Sequence, residues 1–104
     1  NNGTITNSYS ASNVSGCAQA ELGGLAGDQF GTIASSFATG NVADSETSVV
    51  GGLVGAVADS PGAGQVVDCY ASGSVMGGSS SYVGGLVGIY STETGGTATL
   101  TSSY

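Results

Sequence analysis

Apolar residues in this chain come singly or in short words, separated by Gly, Ser and Thr, and no stretch keeps a helical period. One apolar stretch, VVGGLVGAVA at residues 49–58, carries Gly51 and Gly55 at the spacing that lets membrane helices approach. It has 10 residues, whereas crossing a hydrocarbon core takes about 20. Its near-copies LGGLAG at 22–27 and VGGLVG at 83–88 identify it instead as one word of a repeat. Upstream of the three words stand GTITNSYSASNVSG from Gly3, GTIASSFATGNVAD from Gly31 and GQVVDCYASGSVMG from Gly64, with a truncated ATLTSSY from Ala98. The starts are 28, 33 and 34 residues apart, which predicts one structural unit repeated and stacked. The repeats run over 3–30, 31–63 and 64–97, with a partial copy at 98–104, in a single domain of residues 1–104.

Gly, Ser, Thr and Val fill these units, and all are poor in helix interiors. A propeller blade needs four strands and a ring of several blades, whereas each unit offers two short strand-like words. The pattern therefore predicts an all-β fold, a parallel β-solenoid (β-helix) of about three and a half coils. Four columns follow from the register: Ile5, Ile33, Val66 and Leu100; Tyr9, Phe37, Tyr70 and Tyr104; Val14, Val42 and Val75; Leu25, Leu53 and Leu86. Each is expected to stack inward at ~4.8 Å from coil to coil. The pairs Gly23-Gly24, Gly51-Gly52 and Gly84-Gly85 are expected where a narrow coil turns, through positive φ or close backbone approach.

The repeated G-x-I-x-x-S-Y-A-x-G-x-V followed by V-G-G-L-V-G resembles the GLUG repeat of bacterial surface proteins, which include large adhesins and precursors of immunoglobulin-cleaving metalloproteases. The resemblance covers almost the whole chain. It implies a surface location and an adhesive or structural role. In the protease precursors the repeat region is not the catalytic part, and no zinc-ligand motif stands here.

Charge removes several functions. The chain has no Lys, Arg or His and seven Asp plus Glu, a formal charge of -7. Nucleic acid and anionic membrane surfaces both require cations, so neither is an expected partner, and no membrane insertion is expected. No base stands near the many Ser residues to activate them. A glycosidase pair among Asp44, Glu46 and Asp59 is no more than seven acids always allow. Calcium would need an acidic loop spacing that is absent. The chain is therefore expected to be no enzyme and to need no cofactor or metal. In stacked coils the acids avoid one another: Asp68 falls with Asn7, Ser35 and Ser102, Asp44 with Gly16 and Gly77, Asp28 with Ala56 and Ile89, Glu21 with Val49 and Tyr82. Asp59, Glu46 and Glu93 fall in loops of unequal length. Cys69 shares a column with Ser8 and Ser36, two coils from Cys17, beyond the reach of a disulfide, so both thiols are expected free.

The expected function is a non-catalytic extracellular module at the cell surface, an adhesin-type rod segment that assembles with itself head to tail into a filament. Host or surface glycans are the other expected partner. The alternative is a ligand- or ice-binding solenoid with a flat Ser/Thr face, but Gln65 interrupts the row Thr4, Thr32, Thr99, and Thr6, Ala34, Val67, Thr101 is broken too. Asn2 and Asn13 match the N-glycosylation acceptor pattern.

Overall fold

The structure, a computed structural model, describes residues 1–57, 64–90 and 99–101. Their chain winds through three coils and enters a fourth. The first coil contains β1 (Thr4–Thr6), β2 (Tyr9–Ser10), β3 (Val14–Gly16), β4 (Glu21–Gly23) and β5 (Ala26–Gln29). The second contains β6 (Thr32–Ala34), β7 (Phe37–Ala38), β8 (Val42–Asp44), β9 (Val49–Gly51) and β10 (Val54–Val57). The third contains β11 (Gln65–Val67), β12 (Tyr70–Ala71), β13 (Val75–Met76), β14 (Tyr82–Gly84) and β15 (Val87–Tyr90), and β16 (Thr99–Thr101) opens the next. Equivalent strands pair in parallel in five sheets: β1-β6-β11-β16, β2-β7-β12, β3-β8-β13, β4-β9-β14 and β5-β10-β15. The fold is a parallel β-solenoid, and the apolar stretch that imitates a membrane helix is β9, a corner and β10.

Each circuit thus has five strands where two were expected. The additional ones are two or three residues long, too short for alternation to reveal them. What separates them is left-handed backbone. Asn7, Ser35 and Asp68 occupy one repeat position with φ of 50°, 49° and 51°, so each coil turns there between its first and second strands. Gln19 and Ser80 turn the chain later in the circuit, at φ 62° and 60°. Asn and Asp tolerate this region better than most residues. None of Gly23, Gly24, Gly51, Gly52, Gly84 and Gly85 has a positive φ in that range, so the glycine pairs stand at the corners as expected, through close approach and not through positive φ.

The reason is the meeting of two sheets. A side chain on Gly51 would collide with the carbonyl of Val54 across the β9–β10 corner. One on Gly55 would meet the carbonyl of Gly27 at 2.6 Å and the backbone N and O of Leu22 at 2.9 and 3.0 Å. The G-G-L-V-G word therefore lets β10 lie backbone to backbone against the neighbouring sheet, where a Cβ needs ~3.5 Å or more.

The register places Ile5 beside Ile33, Val66 beside Ile33 and Leu100, and Val42 between Val14 and Val75. Leu25, Leu53 and Leu86 lie at the corner, where the amide of Leu25 donates to the Leu53 carbonyl at 2.8 Å and that of Leu53 to the Leu86 carbonyl at 2.9 Å. Ile33, Leu53, Val54, Val57 and Val66 form one fully buried cluster with Ile5, Leu25 and Leu86 packed against it, and Val42 and Val50 form a second with Leu22.

The aromatic column does not face inward. Ser36 and Ala38 point into the core, buried to 1% and 0% exposure, and alternation puts Phe37 between them on the outside. The inside of a corner holds only small side chains, so the rings stand on the surface, with Tyr9 69% exposed. They stack along the coil axis, with centroids 5.3 Å apart for Tyr9 and Phe37 and 4.8 Å for Phe37 and Tyr70. Tyr104 lies outside the described residues.

Candidate functional site

Polar side chains complete the corners where backbone ladders break. The Asn13 Oδ1 accepts from the Asn41 amide at 2.9 Å, and the Asn41 Oδ1 accepts from the Ser74 amide at 2.9 Å. Ser36 Oγ donates to the Ala34 carbonyl at 2.8 Å and accepts from the Ser8 amide at 3.1 Å. In the next coil Cys69 takes that place, its Sγ donating to the Val67 carbonyl at 3.0 Å. Cys69 is buried and Cys17 exposed, and neither is in a disulfide among the described residues. A further serine column does the same work: the Ala20 amide donates to Ser48 Oγ at 3.2 Å and the Ser48 amide to Ser81 Oγ at 3.1 Å. The recurrence of Asn or Ser at fixed repeat positions was the available signal for these ladders.

The acids behave in two ways. Between coils they are separated as expected, Asp44 beside Gly16, Asp28 beside Ala56, Glu21 beside Val49. Within the first coil, however, Glu21 on β4 and Asp28 on β5 are neighbouring carboxyls. Glu21 is held above its ordinary value of 4.5, first by partial burial of its carboxyl, then by the hydrogen bond and repulsion from Asp28. Column analysis compares equivalent positions in different coils and cannot see such a pair. Asp44 is buried, and neither of its carboxyl oxygens has a hydrogen-bond partner among the described residues. No cluster of three or more metal-ligating side chains occurs among the described residues. Asp59 and Glu93 lie outside those residues, so the Asp44, Glu46, Asp59 grouping falls partly outside them.

The register also sets Thr4, Thr32, Gln65 and Thr99 side by side, and Thr6, Ala34, Val67 and Thr101 next to them. Asn2 and Asn13 are both exposed.

The strongest asymmetry is at the third coil. Leu22, Val50 and Val83 are equivalent. Leu22 is 9% exposed and Val50 0%, but Val83 is 48% exposed. The glycines tell the same story. A Cβ on Gly24 would strike the Gly52 carbonyl, and one on Gly52 the Gly85 carbonyl, while one on Gly85 has nothing within 4 Å. The outer side of coil three therefore presents the surface that coils one and two bury against their neighbours.

Residues 46–76 match the family model described as the GLUG motif. That span begins between β8 and β9 and ends at β13, one circuit of the solenoid cut at a different corner from the repeats read in the sequence. No curated protein and no solved structure matches the chain.

Proposed function

From the premise that this chain is a GLUG-repeat protein, we propose that it is a non-catalytic extracellular structural or adhesive module at the cell surface, stacking end to end into a filament or a longer rod. The observation that carries this reading is the contrast between Val50 and Val83, equivalent residues of which one is sealed and the other bare. Burying apolar surface stabilises by ~25 cal/mol per Å², so a second copy seated on coil three gains what coil three gains on coil two. The edges of β12, β13, β14 and β15 extend that gain through backbone pairing, since exposed strand edges template further strands. Contact between two different ends of one molecule propagates without closing. The charge of -7 opposes it weakly at physiological salt, where screening acts within ~8 Å.

Sedimentation of the chain over a range of concentrations at ~0.15 M salt tests the proposal, with larger species expected as concentration rises and fewer at low salt. A monomer at high concentration whose terminal strands both protect their amides from exchange would sink it. The alternative of an ice-binding face rests on the Thr4, Thr32, Gln65, Thr99 row, and thermal hysteresis in dilute solution separates it from the rod.

A further inference from the structure

We infer that the shallow cavity beside Tyr82 binds the ring face of a neutral saccharide. The cavity has a volume of about 200 Å³ and crosses three coils, with Gln19, Ala20 and Glu21 from the first, Thr47 and Val49 from the second and Tyr82 from the third. Glu21, Val49 and Tyr82 are in register on β4, β9 and β14, so the tyrosine and the carboxyl stand two coil spacings apart, about 10 Å. Between them the floor is apolar, made by Ala20 and Val49.

That arrangement matches the two-sided chemistry of a pyranose. One face of the sugar is a patch of C–H bonds, which packs on an aromatic ring, and Tyr82 offers one that is 62% exposed. The rim of the sugar is hydroxyl groups, which need donors and acceptors at the edge of an apolar floor. Glu21, Gln19 and Thr47 supply them, the usual combination of an apolar pocket with a few placed polar groups. Thr47 Oγ1 also donates to the Ser79 carbonyl at 3.4 Å, and the Thr47 carbonyl accepts from the Gln19 amide at 2.6 Å. Those bonds tie two of the rim residues to the scaffold. The charge selects neutral ligands: an acidic sugar would find no cation anywhere in the side chains, and seven acids against it. The cavity lies on the flank of the coils and not on their end, so it stands whether or not the chain stacks.

The test is a nitrogen-15 NMR titration of the full chain with the methyl glycosides of glucose, galactose, mannose and N-acetylglucosamine, beside glucuronate and glucosamine. At least one neutral glycoside is expected to give saturable shifts confined to amides around residues 19–21, 47–49 and 82, with intermolecular NOEs from sugar C–H protons to the Tyr82 ring. Tyr82→Ala is expected to weaken binding roughly three- to tenfold, the loss of one aromatic contact, and Tyr82→Phe to retain it. The inference is overturned if no neutral glycoside gives those shifts and NOEs, if a folded Tyr82→Ala binds as well, or if glucosamine alone binds, which would assign the site to a cation.

Discussion

Gly52 and Gly85 occupy the same place in successive repeats, yet the same substitution should act on them in opposite directions. In Gly52→Ala the new methyl is driven against the Gly85 carbonyl and lies 2.9 Å from the Ala71 Cβ. The first obstacle is backbone, which cannot rotate aside, so coils two and three must separate locally. Overpacking of this kind costs ~1–3 kcal/mol. The 3.2 Å bond from the Gly52 amide to the Gly84 carbonyl weakens with it, costing up to ~1 kcal/mol. The reduced freedom of the unfolded chain returns ~0.4–1 kcal/mol. The net loss is ~1–3 kcal/mol, or roughly 5–20 °C in melting temperature for a domain of this size. Gly85→Ala meets no atom and its backbone is compatible with alanine, so only the chain-entropy gain remains and the isolated chain should melt slightly higher. In a head-to-tail stack, by contrast, its methyl would press on the Gly24 carbonyl of a second copy, and assembly should fail. Thermal unfolding in dilute solution measures the first effect and sedimentation at high concentration the second. Equal melting temperatures for the two variants would refute the coil-on-coil reasoning. Undiminished assembly by Gly85→Ala would refute the proposed interface.

Leu53→Asp should destabilise the fold by several kcal/mol, because it puts an unpaired carboxylate at a fully buried corner between Leu25 and Leu86, while Glu46→Gln, on an exposed residue, should leave the melting temperature near wild type. Asp44→Ala should raise stability by ~1–3 kcal/mol in denaturant titration, since both oxygens of that buried carboxyl lack partners among the described residues and such groups cost about that much. Because Glu21 is raised above 4.5 in the folded state, its contribution is present below 4.5 and lost as pH rises through the elevated value; Glu21→Gln should flatten the stability profile in the window just above 4.5, and an unchanged profile would count against the Glu21–Asp28 pair. A thiol reagent should modify exposed Cys17 quickly and buried Cys69 only on unfolding, and equal rates by mass spectrometry would contradict the packing of coil three.

Sequence alone determined what is identical from coil to coil. Recurrence of the Ile5, Val14 and Leu25 positions at the repeat spacing sets which residues become neighbours, because stacked parallel coils pair equivalent residues, and the register of β1, β6, β11 and β16 is legible from alignment of the chain with itself. Which way a column faces was decided only in three dimensions. Tyr9, Phe37 and Tyr70 have the composition of a core column, but Ala38 and Ser36 fill the corner's interior and leave the rings outside. The glycine pairs stand at corners as expected, but which of their two properties the corners use was decided there too: positive φ falls to Asn7, Ser35 and Asp68, and the glycines are needed because another backbone lies where a Cβ would be. The Glu21–Asp28 pair and the cavity beside Tyr82 join different positions of the repeat, and the distance between those is set by how the coil closes and not by its period.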